Sequence, residues 1–199
     1  AFLGAAKESG YAVKSAMLNC CHYGVPQSRP RFICVGMAEN IGRIPVFPIP
    51  GPAVTLREAL RGLDEKGPEL AGQAAQRYFL SERGKNFTVS PKIKNAFFNS
   101  IRTTWGKPCP TISRIMNRQI ASIAHPDEPR LFSSAELGRI FSFPDSFRFC
   151  GPYQKQVEMM GNCVPPLFMK RVALSLRRVL EETDGTRCPA VSEGALIND

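Results

Sequence analysis

The sequence predicts a chain that mixes β-strands with α-helices, and its clearest signal is a β-hairpin. Residues 11–19 alternate weakly between apolar and polar side chains, and residues 31–37 form a compact apolar run. Both patterns are typical of strands. Between them, residues 23–30 hold two prolines and a glycine, which favours a loop. We therefore expect a hairpin that carries a functional loop, with its second strand buried on both faces.

Four helices are predicted from their start and stop signals. The first covers residues 1–10 and ends at Gly10. Two more begin at capping boxes, in which a Thr or Ser side chain accepts from the backbone three residues on and a Glu reaches back. These boxes start at Thr55 and Ser133, and we expect their helices to end near residues 62 and 141.

The last predicted helix opens at the tandem prolines 165–166, a pair suited to a first helical turn. Apolar residues then recur at spacings of three and four to about residue 182, with basic residues on the other side. Residues 64–104 show no sustained period, and the sequence predicts no element there.

The composition fits a globular chain: 43% of residues are apolar and 22% are charged. No run of about 18 apolar residues is present, which argues against a membrane span. Seven cysteines without a Cys-x-x-Cys pair and only two histidines do not match a structural zinc site. We therefore predict no metal and reduced thiols. The chain opens without Met inside a predicted helix, and we expect further residues upstream.

Positive charge is concentrated in one window. The whole chain has a net charge of +9, and residues 77–118 hold nine basic residues and a single acid. Such a stripe is typical of a surface that binds nucleic acid. A solvated basic face is the alternative. Four prolines in residues 44–52 predict an extended linker ahead of this window.

Three motifs occur in order along the chain. Gln27-Ser28-Arg29-Pro30-Arg31 is a Gln-x-Arg-x-Arg in the hairpin loop. Residues 130–147 contain the second capping box followed by Phe-Pro-Asp, and residues 161–166 read Gly-Asn-Cys-Val-Pro-Pro. The set resembles motifs VIII, IX and X, the C-terminal half of the DNA (cytosine-5) methyltransferases. Residues 107–113 are also similar to the Pro-Thr-Ile stretch ahead of motif IX.

The resemblance implies an α/β fold that combines two parts. One is the C-terminal portion of a Rossmann-like methyltransferase domain, and the other is a small, irregular α+β target-recognition domain. Residues 1–40 would belong to the catalytic domain and residues 41–156 to the recognition domain. Residues 157–183 would return as a helix to the catalytic domain, and residues 184–199 would form a flexible tail.

The resemblance also implies roles for particular residues. Arg29 and Arg31 would contact a flipped cytosine and its flanking phosphate, while Gln27 would fix the loop. S-adenosylmethionine would be bound near its methionine end by three residues that we expect to open the last helix, Asn162, Cys163 and Val164. The candidates for contact with DNA are the basic residues Lys92, Lys94, Arg102, Lys107, Arg114 and Arg118. Either Arg102 or Arg114 could reach a base edge.

Each assignment has a structural alternative. The two loop arginines could form salt bridges within a hairpin, and Asn162 could simply cap the last helix. Glu136 is explained by its capping box. Trp105 could stack on a base, and core packing is the alternative for this lone tryptophan.

The family's nucleophilic Cys, its assisting Glu and its glycine-rich cofactor loop all lie upstream of motif VIII. The sequence has none of them upstream of its Gln-x-Arg-x-Arg. Cys109 in Pro-Cys-Pro and Glu39 in Glu-Asn-Ile follow that motif, and we reject both as catalytic residues. We therefore expect this chain to be inactive alone and to need an N-terminal half, on the same polypeptide or on a separate subunit. Its unpartnered strand would expose apolar surface and could favour dimerisation.

The expected partner is double-stranded DNA, and no membrane is expected. Two alternatives stay open: a non-catalytic DNA-binding module or remnant, and a segment of a tRNA cytosine-5 methyltransferase. We expect the protein in the cytoplasm of a bacterium or encoded by a phage, or in the nucleus if its source is eukaryotic. The target sequence does not follow from the residues.

Overall fold

A computed structural model of the chain describes residues 2–86, 100–118 and 123–181. Helix α1 (Phe2–Glu8) precedes strands β1 (Tyr11–Asn19) and β2 (Pro30–Ala38), which pair in one two-stranded sheet. Cys20 donates its backbone N–H to the Arg29 carbonyl at 3.1 Å, and Glu39 donates to the Gly10 carbonyl at 2.9 Å. These two bonds close opposite ends of an antiparallel pair, so the predicted hairpin is confirmed.

The prediction that the second strand is buried on both faces is wrong. Met37 is the only residue of β2 that is fully buried, and the Phe32 side chain is 58% exposed. In β1, Met17 is 66% exposed. Each strand has one neighbouring strand within the described chain. The apolar composition of β2 indicated burial, but burial on both faces also needs further elements packed against the sheet. The expected exposed apolar surface is therefore present.

The helices begin largely where their sequence signals place them. After the hairpin they are α2 (Leu56–Ala59), α3 (Gln73–Leu80), α4 (Ser134–Ile140), α5 (Tyr153–Asn162) and α6 (Pro166–Glu181). Both predicted capping boxes form, with Thr55 at the start of α2 and Ser133 at the start of α4. The sequence did not predict α3 or α5. The structure describes no helix that is both long and apolar enough to cross a membrane.

The described chain folds into two compact units. The smaller unit contains residues 2–16, 32–48 and 171–181, and Ser175 Oγ donates there to the Val46 carbonyl at 2.9 Å. The larger unit contains residues 17–31, 49–86, 100–118 and 123–170 and holds the main hydrophobic core, including Leu56, Ile112, Phe132, Ile140 and Met160. The expected functional boundaries at residues 41–156 and 157–183 remain predictions, and the expected tail at 184–199 lies outside the described residues.

A buried ion pair anchors α4 in the larger unit. Arg130 binds the Glu136 carboxylate with both terminal nitrogens, at 2.7 and 3.0 Å. The same carboxylate accepts from the Ser133 backbone at 2.7 Å, so Glu136 serves the ion pair and the capping box together. Both charged side chains are nearly fully buried, and their hydrogen bonds offset the cost of removing them from water. Glu136 is structural, as the capping box predicts.

Candidate functional site

The Gln-x-Arg-x-Arg loop is fixed against the Pro-Thr-Ile stretch by backbone hydrogen bonds. Ser28 donates its N–H to the Cys109 carbonyl at 2.7 Å, and Cys109 donates to the Pro26 carbonyl at 2.9 Å. Thr111 Oγ1 donates to the Ser28 carbonyl at 2.6 Å. These bonds form a short parallel bridge between two segments that are far apart in sequence. The loop therefore has a defined conformation within the larger unit.

Arg29 connects the loop to two further segments. Its Nη1 donates to the Ile112 carbonyl at 2.8 Å, and its Nη2 donates to the carbonyls of Gly161 at 2.5 Å and Cys163 at 3.3 Å. The guanidinium carbon also lies 5.2 Å from the centre of the Phe141 ring. The residue is only 2% exposed, and burial lowers its pKa from the ordinary arginine value. One side chain thus holds residues from all three motif regions.

Gln27 completes this cluster from the same loop. Its side chain is fully buried, and its Oε1 accepts from Arg29 Nη1 at 3.2 Å. Gln27 Nε2 and Arg29 Nε are buried donors with no hydrogen-bond partner within the described chain. Unpartnered buried donors are costly in an ordinary core, so this cluster differs from a region built for packing alone.

The two arginines of the motif lie in different environments. Arg29 is committed to backbone carbonyls and is inaccessible, which favours a positioning role over the expected contact with a base. Arg31 is half-buried, and its one described guanidinium bond goes to the adjacent Pro30 carbonyl at 2.7 Å. Of the pair, Arg31 therefore has donors to present to a ligand.

The segment 161–164 does not open the last helix, and this expectation is wrong. Asn162 is the final residue of α5, Cys163 follows in an extended conformation, and α6 begins only at Pro166. The end of α5 presents carbonyl groups, which do not attract a carboxylate, and Asn162 does not cap α6. Asn162 and Val164 are exposed and Cys163 is half-buried. These residues form an accessible edge whose backbone is held by Arg29.

Gly161 lies where no side chain fits. A Cβ at this position would lie 2.4 Å from Arg114 Cα and 2.6 Å from Arg114 N. Both are backbone atoms that cannot rotate away, so the end of α5 packs directly on the segment that follows the Pro-Thr-Ile stretch. In the sequence, this close approach is indicated only by the glycine at position 161 within the Gly-Asn-Cys-Val-Pro-Pro motif.

The cysteines near the cluster are unsuited to nucleophilic attack. Cys109 and Cys20 are both fully buried. Burial raises the pKa of the Cys109 thiol far above its ordinary value and that of Cys20 to about 11. Because the thiolate is the reactive form, both residues remain protonated core residues. In the described ranges no group of three or more His, Cys, Asp or Glu could hold a metal ion.

The basic residues predicted to contact DNA separate into engaged and exposed groups. Arg102 Nε donates to the Pro126 carbonyl at 2.9 Å, and its guanidinium lies 4.4 Å from the centre of the Tyr78 ring. Arg102 is therefore engaged within the larger unit, which disfavours the predicted contact with a base edge. Arg118 is exposed, but its Nε donates to the Glu69 carbonyl at 2.6 Å.

Lys107 and Arg114 are exposed on the larger unit, and no described residue forms a hydrogen bond with either charged group. They remain available for an anionic partner. The other two candidates, Lys92 and Lys94, lie outside the described residues.

Comparison with known proteins identifies the family. The model of the C-5 cytosine-specific DNA methylase family matches residues 1–178. The chain belongs to this family. It is 27% identical over 201 residues to the Type II methyltransferase M.Sau96I of Staphylococcus aureus, covering 88% of this chain and 45% of that protein. It is also 26% identical over 194 residues to M.NgoFVII of Neisseria gonorrhoeae, covering 87% and 52%. The methylase chain spans about half the length of these curated relatives.

A solved structure shows the same fold. The methylase chain matches a prophage-encoded Escherichia coli protein, described as a candidate DNA modification methyltransferase, with a TM-score of 0.69. The match has 19% identity and covers 87% of this chain and 62% of that one. The predicted methyltransferase family and mixed α/β fold are therefore confirmed, together with the predicted link to restriction–modification enzymes.

Proposed function

We propose that this chain is the C-terminal part of a DNA cytosine-5 methyltransferase, with motifs VIII, IX and X and the target-recognition region. It binds duplex DNA and completes a catalytic domain whose other part carries the nucleophilic Cys. Transfer to cytosine C5 needs attack at C6, because the aromatic ring does not react at C5 unaided. The cytosine must also leave the base stack to reach the site.

The Arg29 cluster is the observation that carries this proposal. Its guanidinium joins the Gln-x-Arg-x-Arg loop to Ile112 and to the carbonyls at 161 and 163. A site assembled from motifs scattered along the chain needs such a connection. Gln27 and Arg29 are positioning residues in this view, and Arg31 contacts the flipped cytosine or its phosphate. A guanidinium suits either role because its donors are planar and always charged.

The residues at 161–164 fit one edge of a site for S-adenosylmethionine. The Asn162 amide is exposed beside carbonyls that Arg29 fixes, and Val164 offers an apolar contact. Asn162 would bind the polar methionine end, with Cys163 and Val164 against its side. When bound, S-adenosylmethionine supplies the methyl group, and the rest of its site would come from the other part of the enzyme.

The exposed basic residues supply affinity for DNA in this proposal. Lys107 and Arg118 would contact phosphates, which gives binding that weakens steeply with salt. Because the relatives named above are bacterial restriction–modification methyltransferases, the proposed location is the bacterial cytoplasm. The Cys109 thiol takes no part in the reaction, since it is buried and protonated.

Transfer of labelled methyl from S-adenosylmethionine to duplex DNA tests the proposal. The samples are the chain alone, its Cys109→Ser variant, and the chain mixed with an N-terminal methylase segment that contains Pro-Cys-Gln. We expect transfer only in the mixture. Transfer by the chain alone that disappears in Cys109→Ser would contradict the proposal.

Two further outcomes separate the alternatives. Competition binding between duplex DNA and tRNA shows which nucleic acid is the substrate. The other one should bind more weakly, because it is held only as a non-specific polyanion. Salt-sensitive DNA binding without transfer in any mixture would indicate a non-catalytic DNA-binding module.

A further inference from the structure

An open cleft of about 550 Å³ lies in the larger unit, beside the point where Gly161 packs on the Arg114 backbone. Residues 114–117 form one wall, and Gln154 and Glu158 of α5 form the other. The two α5 residues are four positions apart, so they lie on one helix face. None of the three motifs accounts for this cleft.

The wall at Arg114 is held rigidly by backbone contacts. The end of α5 packs on the Arg114 backbone at Gly161, and Gln154 Nε2 donates to the Arg114 carbonyl at 3.3 Å. Ser113 Oγ donates to the Ile115 carbonyl at 2.7 Å and closes a tight turn. A fixed backbone that carries an exposed guanidinium is organised for binding before any ligand arrives.

The two walls carry opposite hydrogen-bonding groups. No residue in the described ranges forms a hydrogen bond with the Arg114 guanidinium, which offers a planar fork of donors. Glu158 on α5 is partly exposed and ionised. A hydrogen bond from Lys155 at 2.9 Å lowers its pKa most, and the nearby Arg114 charge lowers it further. An ionised carboxylate accepts hydrogen bonds only.

This pairing argues against a phosphate as the occupant of the cleft. A phosphate suits Arg114 but is repelled by Glu158, and a site built for phosphate alone does not present a carboxylate. Base edges do match both groups. Arginine is the commonest reader of guanine O6 and N7, and Glu accepts from cytosine N4.

We propose that this cleft reads a guanine–cytosine pair of the DNA, with Arg114 on the guanine and Glu158 on the cytosine amino group. The proposal rests on the function proposed above and names two residues that determine sequence preference. It also resolves the choice between Arg102 and Arg114, since Arg102 is committed to Tyr78 and Pro126. Gln154 is a positioning residue, because it acts on the Arg114 backbone.

Selection of bound sequences from a randomised duplex library tests the proposal with the 199-residue chain. The variants are Arg114→Ala and Glu158→Ala, both at surface positions where truncation leaves no core cavity. Lys107→Ala is the control for phosphate contact. Near-ultraviolet circular dichroism of each variant checks that the fold is retained.

We expect the unsubstituted chain to enrich a sequence with a fixed guanine–cytosine pair. Arg114→Ala and Glu158→Ala should relax the preference at that one pair by about 5- to 150-fold, the range for a good base contact. Lys107→Ala should weaken all sequences equally. No enrichment by the unsubstituted chain, or uniform weakening by the cleft variants, would overturn the base-reading role. Failure to bind any duplex, even at low salt, would instead contradict the proposed function itself.

Discussion

Arg29 Nη2 lies 2.5 Å from the Gly161 carbonyl oxygen, so a side chain in the hairpin loop holds backbone 132 residues further along the chain. The same nitrogen also reaches the Cys163 carbonyl. The position of the 161–164 segment therefore depends on the loop as well as on the helices that flank it. A change at Arg29 should affect both the stability of the larger unit and the position of the 161–164 backbone.

Replacing Arg29 with Met should destabilise the larger unit by about 3 kcal/mol or more, because hydrogen bonds to a charged group contribute about 1.5–3 kcal/mol each. The substitution keeps apolar volume but leaves three carbonyls, one buried and two half-buried, without their donor. Arg31→Met is the matched control, since its described bond is local; it should change stability by about 0.5 kcal/mol or less. Urea unfolding followed by tryptophan fluorescence measures both. Equal effects of the two variants would show that Arg29 does not connect the three segments.

Removing the buried Glu136 carboxylate should lower the free energy of unfolding more than removing the exposed carboxylate of Asp145, which follows α4. Glu136→Ala removes the carboxylate from both terminal nitrogens of the buried Arg130 and leaves it with Glu128 alone, 2.7 Å from Nε. Loss of one partner of a buried pair costs about 3–5 kcal/mol. Asp145 also pairs with an arginine, Arg139, at 2.8 Å, but the Asp145 side chain is 67% exposed. Asp145→Ala should therefore cost about 0–1 kcal/mol. Thermal unfolding of the two variants compares them directly, and a cost for Glu136→Ala within the surface range would contradict the buried pair.

Stability should fall as the pH decreases below about 6.5, the ordinary pKa of histidine. Burial and then Arg130 lower the pKa of His125 in the folded chain. The unfolded chain therefore binds a proton first, and stability is lost as the pH falls through the folded pKa. Protonation also removes the acceptor at His125 Nδ1, which takes backbone hydrogen bonds from Asp127 and Glu128.

His125→Asn should flatten this pH dependence, because Asn retains a side-chain acceptor without a titrating group. His22→Asn is the control, since His22 is exposed, and it should leave the dependence unchanged. Urea midpoints measured from pH 8 downward provide the comparison. If the urea midpoint of His125→Asn depends on pH as steeply as that of the unsubstituted chain, the effect belongs to other groups, such as the carboxylates of Asp127 and Glu128.

Local signals in the sequence predicted the parts of the fold that depend on neighbouring residues. The capping boxes at Thr55 and Ser133 and the two hairpin strands have all their determinants within a few positions, and each forms as predicted. Helix α5 was missed, because it combines a mixed apolar pattern with packing on Arg114, which is distant in sequence.

The same distinction applies to the site residues, because their contacts depend on segments that are distant in sequence. Arg102 was selected for its charge, yet Tyr78 and Pro126 determine its role. The segment at Asn162 was recognised as a motif, but its position at the end of α5 was not. Sequence motifs located the cluster around Arg29, whereas its carbonyl partners required the tertiary structure.

Gly161→Ala should destabilise the chain by about 1–3 kcal/mol, the usual cost of overpacking a closely packed site. The added methyl group would meet the Arg114 backbone at 2.4–2.6 Å, so α5 or the segment after Thr111 must move. Gly4→Ala is the matched control in α1, where the structure describes nothing within 4 Å of a Cβ. It should be stabilising by about 0.5–1 kcal/mol, because alanine is the better helix former. Opposite signs for the two variants in urea unfolding would support the close approach, whereas a neutral Gly161→Ala would contradict it.

Alkylation should distinguish Cys109 from the exposed cysteine Cys150. The Cys109 thiol is fully buried, and burial raises its pKa, so the folded chain contains almost no accessible thiolate at this position. Cys150 is exposed and should react with iodoacetamide within minutes at pH 8, while Cys109 should react only after denaturation. Peptide mass spectrometry of native and urea-treated samples measures each site separately. Rapid native labelling of Cys109 would show an accessible thiolate and would restore it as a candidate nucleophile, because reactivity requires both exposure and ionisation.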